Sequence, residues 1–322
     1  MRGPGISQED DNQRMIKISL IIPSYNQASY IEEALQSVLG QNYPNLELLI
    51  MDGGSSDGTI NVIKKYESSI SEWVSEPDGG QSHALNKGLA RMSGEVWAYL
   101  NSDDVLCPDC LEIVSNYFTK NKVDWLCGSA DRFSDASTLG EIIPEKPVDV
   151  CDYLRPWART QQYLFPCSVA CFMRREIYEK IGGFNETYHY SMDMEYYTRA
   201  LFKGGFRPVN TKQKLGRWRQ HEESKTAREG VAYGFRQEEL RIAAEYLPCL
   251  EKKDQNVLRK EIRSESLFLI TRRACYNIKI KKPARGLAFL LFNCVRRPIL
   301  LRKRFWWGAL RELLKFMICN RE

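Results

Sequence analysis

Between Lys17 and Leu100 the chain alternates short apolar runs with amphipathic stretches, and this alternation constrains the fold more than any other feature. Lys17–Tyr25 (KISLIIPSY), Leu46–Asp52 (LELLIMD) and Glu95–Leu100 (EVWAYL) are short apolar runs, the first and third rich in β-branched or aromatic residues. Each reads as a buried strand, and Trp73–Ser75 as a shorter one. Ala28–Leu39 lies between the first two, with Ile31, Leu35, Val38 and Leu39 on one helical face. Ser29 is its expected N-cap, with Glu32 three residues on, and Gly40 its expected stop. Asp57 is expected to cap a second helix. Ser82–Met92 and Asp109–Lys120 read as two more. Strands separated by helices of about ten residues imply βαβ units and a mainly parallel sheet.

Open sheets of this kind bind ligands beyond the carboxyl ends of their strands. The polar clusters fall there: PSYNQ after the first strand, DGGSSDG after the second, NSDD after Glu95–Leu100. In Asn101-Ser102-Asp103-Asp104 two adjacent carboxylates repel each other once desolvated, so a site that concentrates them favours a cation. Mg²⁺ or Mn²⁺ held by one or two carboxylates and phosphate oxygens fits that chemistry. Taken alone, Asp-Asp is also what a solvated turn with a helix cap looks like. In Met51–Thr59 (MDGGSSDGT) Asp52 can accept from a base imide or a ribose hydroxyl, and the glycines let backbone approach a ligand closely. In isolation that string is a turn and a cap.

Taken in order and spacing, ISLIIPSYN, LELLIMDGGSSDGT, SEPDGGQSHALNKGLARMSGE and EVWAYLNSDD resemble the nucleotide-sugar-binding half of family 2 glycosyltransferases of the GT-A fold. The resemblance runs on through Phe172–Arg175, Ile181–Glu186 and Met192–Glu195, and covers about residues 17–225. It implies that Pro23, Tyr25 and Asn26 line the base pocket, with Gly53 beside it. Asp52 would bind the base, Asp78 would sit nearby, and Asp103 would touch the ribose. Asp104 would hold the metal, Mn²⁺ or Mg²⁺, that bridges the diphosphate. Asp193 would be the base that deprotonates the acceptor hydroxyl, with inversion at the anomeric carbon. Where many relatives have Glu-Asp, this chain has Met192-Asp193.

His221 lies in a His-x-x-Ser segment (His221–Ser224) that in relatives closes on the diphosphate, so it joins Asp104 as an expected metal ligand; a surface histidine in a charged loop is the plain alternative. Arg219 and Lys225 are further phosphate candidates. Trp157, near Arg159, could stack on an acceptor sugar, and His83 reads as helix surface. The expected partners are a nucleotide-sugar donor, a UDP-sugar first, and a glycan or lipid-linked acceptor of surface polysaccharide or glycoconjugate synthesis. Two rivals differ in kind. A sugar nucleotidyltransferase would need a Gly-rich, basic loop after the first strand, which PSYNQASY lacks. A non-catalytic binding subunit would not need Asp52, Asp103, Asp104 and Asp193 intact.

Charge divides the chain. Residues 251–322 carry 19 Lys+Arg against 6 Asp+Glu, within a total of 46 against 41, so the tail is strongly basic and the body acidic. Residues 285–318 alternate apolar runs with basic clusters, and Phe305, Trp306 and Trp307 adjoin one of them. That pattern is too short to span a bilayer and suits an interfacial helix pair on anionic lipid, broken near Pro298. A helical subdomain with a basic outer face is the competing reading. No motif that reads bases accompanies the charge, so no nucleic acid is expected. The expected organisation is a leader over 1–15, a GT-A domain over 16–235 and a helical basic extension over 236–322. The first fifteen residues lack an apolar core, so no secretory signal is read there. With ten cysteines in 322 residues and only the single C-x-x-C of Cys107 and Cys110, reduced thiols in a cytoplasmic protein at the inner face of the membrane are expected.

Overall fold

The computed structural model describes residues 15–144, 153–155, 166–225 and 231–279. They divide into two compact units, one reaching to Tyr153 and resuming to residue 225, the other made of residues 154–155 and 231–279.

The first unit is built on one sheet. Strand β1 (Ile18–Ser24) lies between β2 (Leu46–Asp52) and β4 (Val96–Tyr99), parallel to both, and β3 (Glu72–Ser75) extends the parallel part beyond β2. β1 is buried at every position and β2 at all but its first, which is why both read as unbroken apolar runs rather than alternating ones. Helix α1 (Ile31–Leu39) packs Ile31, Ala34, Leu35 and Val38 into the core, and α2 (Thr59–Lys65) and α3 (Gln81–Leu89) follow β2 and β3. Helix α1 starts later than the sequence suggests. Tyr30 precedes it, and no side chain caps it, so Ser29 does not take that part. The N-cap of α2 is Gly58, at φ 107°, not Asp57; Asp57 stands one residue earlier and accepts from the Thr59 N–H at 3.0 Å and the Thr59 hydroxyl at 2.6 Å.

The register sets the strand ends level. Ser24 pairs with Asp52, and Asp52 with Ser75. Tyr99 pairs with Ile21, so the NSDD segment leaves β4 at the same edge. Beyond β4 the sheet becomes mixed. Its order is β3-β2-β1-β4-β8-β6-β9-β5, with β7 (Ser137–Ile142) paired to β6 (Trp125–Ser134). β8 (Cys171–Arg174) is antiparallel to β4 and β6. The long β9 (Pro208–Arg219) runs parallel to β6 and antiparallel to the short β5 (Val105–Leu106). Because β5 starts just after Asp104, the pairing of Val105 with Arg217 brings the end of β9 against the NSDD loop. Helices α4 (Cys110–Lys120), α5 (Arg175–Ile181) and α6 (Met192–Arg199) complete the unit. Cys107 and Cys110 are both buried free thiols.

In the second unit, α7 (Val231–Tyr246) buries Leu240, Ile242, Ala243 and Tyr246, and α8 (Lys252–Lys279) buries Leu258. Arg155 and Glu261 pair at 3.1 Å. No described helix is long and apolar enough to cross a membrane. Trp157, Arg159 and the whole of 285–318 lie outside the described residues.

Candidate active site

The level strand ends first build a carboxylate-centred loop. Asp52 is wholly buried and accepts four hydrogen bonds: from Gly54 N–H at 3.1 Å, Ser55 N–H at 2.8 Å, Ser55 Oγ at 2.5 Å and Ser75 Oγ at 2.7 Å. A carboxylate so enclosed is an organiser of the Gly53–Ser55 turn. The expected contact of Asp52 with a base is therefore not what its geometry offers. The space next to it belongs to Asp78. A Cβ on Gly53 would come within 3.2 Å of the Asp78 carboxyl, so glycine there lets that carboxylate close in. Asp78 Oδ1 accepts from the Gly80 N–H at 2.7 Å. Across the edge, Asn26 sits at φ 52° and holds the same turn. Its N–H donates to Ser55 Oγ at 2.7 Å, and its Oδ1 accepts from the Ser56 N–H at 2.9 Å. Tyr25 is 62% exposed beside the buried end of β1, which contains Pro23.

The NSDD loop forms the second cluster. Asp104 is 1% exposed. Its Oδ1 accepts from the Arg219 backbone N–H at 2.9 Å and its Oδ2 from Asn101 Nδ2 at 3.0 Å. Gln81 Nε2 in turn donates to Asn101 Oδ1 at 2.7 Å, tying α3 to the loop. Burial, and then the charge of Asp103, pushes the Asp104 carboxyl well above the usual carboxylate range, against the Arg219 N–H and the Asn101 amide. Asp103 is the more open of the pair, and its Oδ2 lies 3.0 Å from His221 Nε2. The expected metal pair was Asp104 with His221; the pair brought into contact is Asp103 with His221. The His221 ring lies on Tyr30, centroids 4.3 Å apart, and its Nδ1 is buried with no hydrogen-bond partner among the described residues. The His221–Ser224 turn is closed on itself. Ser224 Oγ accepts from the His221 N–H at 3.1 Å, and the Ser224 N–H donates back to His221 O at 3.0 Å.

Asp193 stands in the first turn of α6, half-buried, its Oδ1 accepting from the Met194 N–H at 2.8 Å. Its charge reaches the deeply buried Tyr99 and Tyr197, whose phenols are raised first by burial. Burial, then Asp104, and more weakly Asp193 raise the Cys167 thiol. Glu195, two residues on, is a second carboxylate near the start of α6 but is not available as a base. It is buried and paired with Arg199 at 3.0 Å. Arg199 also donates to the carbonyls of Ile181 and Gly183. The Gly182–Glu186 loop ahead of Asp193 is held by Asn86, whose Nδ2 donates to Phe184 O at 2.9 Å and whose Oδ1 accepts from the Phe184 N–H at 2.7 Å.

Of the two phosphate candidates, Arg219 is 4% exposed and paired with Glu33 and Asp135, while Lys225 is exposed, its ammonium 5.7 Å from the centre of the Tyr190 ring. His83 turns back on its own loop, its Nδ1 accepting from the Gly79 N–H at 3.0 Å. Tyr30, Asn86, Glu33 and Asp135 were not singled out from sequence. Nothing local marks them, because each acquires its role from a partner far along the chain.

The donor set fits a hard divalent cation. Asp103 Oδ2 and His221 Nε2 converge, and Asp104 stands behind them. The Tyr30 phenol beside the pair is raised first by burial and then by Asp135, Glu223 and Asp103, with Arg219 opposing. No group of three or more His, Cys, Asp or Glu side chains that could hold a metal ion occurs among the described residues. Two protein ligands with phosphate oxygens making up the rest is the ordinary pattern for Mg²⁺ and Mn²⁺.

Comparison with known proteins agrees with this architecture. Among solved structures, the chain is similar to Staphylococcus aureus TarS 1–349 in complex with UDP-GlcNAc, at TM-score 0.61 and 18% identity, covering 94% of this chain and 81% of that one. It is similar also to the mannosyltransferase PcManGT of Pyrobaculum calidifontis in complex with GDP-Man and Mn²⁺, at TM-score 0.57 and 18% identity, covering 96% and 88%. At such identities the likeness is one of fold, and the fold is GT-A. Among curated relatives, it is 34% identical over 131 residues to the Escherichia coli UDP-Glc:alpha-D-GlcNAc-diphosphoundecaprenol beta-1,3-glucosyltransferase WfgD, 40% of this chain and 52% of that protein. The first matched relatives are spanned over 53%, 31% and 58% of their own lengths. The family model for Glycosyl transferase family 2 matches residues 19–182, just over half of the sequence, and the chain belongs to that family.

Proposed function

We propose that the chain is an inverting glycosyltransferase that moves a sugar from a UDP-sugar to a hydroxyl of a glycan or lipid-linked acceptor in surface polysaccharide synthesis. The observation that carries this reading is the meeting of Asp103, Asp104 and His221 at the carboxyl edge of the parallel strands. The family supports sugar transfer. TarS with UDP-GlcNAc and WfgD with its UDP-Glc donor and diphosphoundecaprenol acceptor support the choice of donor and acceptor class.

In this reading Tyr25, Asn26 and Asp78 receive the nucleoside, with Pro23 beneath them and Asp52 holding the Gly53–Ser55 turn in shape. Asp103 and His221 would hold Mn²⁺ or Mg²⁺ together with the donor diphosphate, Asp104 supporting them from behind. Such a cation, when bound, offsets the charge that grows on the leaving diphosphate. Asp193 accepts the proton of the acceptor hydroxyl as that oxygen attacks the anomeric carbon. The bond from that carbon to the diphosphate oxygen breaks on the opposite side, so the configuration inverts. A positioned carboxylate base contributes about 10²–10⁴-fold, and no covalent protein intermediate is needed.

Calorimetric titration of the full chain with UDP, with and without Mn²⁺, tests the reading. Saturable binding that strengthens with Mn²⁺ and is lost in Asp103→Asn is expected. Binding indifferent to both would contradict it. The proposed contact of residues 251–322 with an anionic membrane surface at the inner face of the cell membrane rests on their basic and aromatic pattern and is tested separately below.

A further inference from the structure

Arg219 is the last residue of β9, and the structure gives it an unusual set of duties. Its backbone N–H donates to Asp104 Oδ1 at 2.9 Å, and its Nε donates to the Asp103 carbonyl at 2.9 Å. Its two terminal nitrogens bond Asp135, in the turn between β6 and β7, and Glu33, on α1. The guanidinium stands 4.4 Å from the centre of the Phe133 ring and 5.4 Å from that of Tyr30, the ring that also carries His221. The side chain is 4% exposed, whereas those of Glu33 and Asp135 are 54% and 72% exposed. One buried fork therefore joins three segments distant in sequence to the backbone of the carboxylate pair, two residues before His221.

Resting on the metal reading above, we propose that Arg219 is the positioning residue of the Asp103–His221 pair. It acts through the geometry of its fork rather than through its charge or through contact with phosphate. A guanidinium can hold a planar set of acceptors in fixed directions, while an ammonium is a point charge that cannot reproduce them. The two exposed carboxylates neutralise the guanidinium from the outside and keep it turned toward the Asp103 carbonyl. Without that hold, Asp104 keeps the Arg219 N–H and the Asn101 amide, but the Asp103 carbonyl loses its guanidinium donor, and the Asp103 carboxylate and the imidazole lose their common reference.

The proposal differs in sign from a purely electrostatic role. Arg219 is a positive charge beside a cation site. If charge were all that mattered, Arg219→Gln would relieve repulsion and tighten Mn²⁺ binding, and Arg219→Lys would leave it unchanged. Positioning predicts that both weaken it, Arg219→Gln by at least about tenfold and Arg219→Lys by several-fold.

The experiment is titration of the full chain with Mn²⁺ in the presence of UDP, read by the signal of free Mn²⁺, with metal-free thermal unfolding as a check of the fold. Folded Arg219→Lys that binds Mn²⁺ with wild-type affinity overturns the assignment even if Arg219→Gln cannot be obtained folded, and so does tighter binding by Arg219→Gln. Wild-type protein that takes up no Mn²⁺ with UDP contradicts the metal reading itself, and this inference with it. Wild type that binds while the variants match it removes only Arg219.

Discussion

His221 Nε2 lies 3.0 Å from Asp103 Oδ2, although 118 residues separate them in sequence. The contact exists because β5 and β9 pair, which sets residue 217 opposite residue 105 and carries the end of β9 onto the loop ahead of β5. If that pair holds the metal, Asp103→Asn and His221→Ala should each weaken Mn²⁺ binding in the presence of UDP by about 10–100-fold, as losing a ligand or its close support does elsewhere. Unchanged Mn²⁺ affinity in both would place the cation somewhere else.

Asp193 and Glu195 are two residues apart and should fail in different ways. Asp193→Asn keeps the shape but cannot take a proton, so turnover should fall by about 10²–10⁴-fold with donor affinity within about threefold of wild type. Glu195→Gln removes the buried carboxylate charge that faces Arg199 and should cost about 3–5 kcal/mol of stability. Thermal unfolding and steady-state kinetics on the two variants separate these outcomes. A stable, inactive Glu195→Gln with an active Asp193→Asn would exchange their roles.

A second contrast lies in the loop that follows β2. Asp52 accepts four hydrogen bonds from its own surroundings, so Asp52→Ala leaves buried donors unmet and should lower stability by about 1–3 kcal/mol. Asp78→Ala is expected to leave the melting temperature nearly unchanged and to weaken UDP binding. Wild-type-like unfolding of Asp52→Ala together with weakened UDP binding by that variant would show that the sequence expectation for Asp52 was the better one.

Glu47 offers a pH test remote from the site. Burial alone would raise its carboxyl, but Lys17, Ser19 and Ser93 all donate to it and bring it down from 4.5 to about 2. A depressed carboxyl contributes stability that is present above about 4.5 and lost as pH falls toward about 2. Glu47→Gln should therefore lower stability near neutral pH, by about 1.5–3 kcal/mol for a charge-assisted set. The gap to wild type should close as the medium is acidified through that window. A gap that stays constant down to pH about 2 would contradict the linkage.

For the basic tail, vesicles of anionic lipid should bind the full chain, more weakly as salt rises but not to zero. The Lys and Arg attraction is screened and the burial of Trp306 and Trp307 is not. Replacing Arg302, Lys303 and Arg304 together by Gln should weaken binding by up to about 3 kcal/mol. Full-length monodisperse protein that ignores such vesicles at low salt would favour a packed helical subdomain.

Much of the scaffold was legible because its signals are local. Leu46–Asp52 is the strand that its apolar run announces, and the polar strand ends do meet at one edge. What failed locally was the start of α1, where Ser29 looked like a cap but makes no capping bond. The deeper gap concerns partners. Arg219 finds Glu33 across 186 residues and Asp135 across 84, and neither acid stands out as an exposed charge on a helix or in a turn. Asp52 was read correctly as a strand-end carboxylate, yet its enclosure depends on Ser75, which arrives only through the β2–β3 register.

The most direct test of sugar transfer by this chain is turnover of a panel of nucleotide sugars by the full-length protein with Mn²⁺, water serving as acceptor. Nucleoside diphosphate and the anomer of the first-released sugar are read together, for wild type and for Asp193→Asn. The account predicts slow release from at least one donor, a UDP-sugar, with the released sugar first appearing in inverted configuration and with the activity lost in Asp193→Asn. Release with retained configuration, or release undiminished in Asp193→Asn, would contradict it.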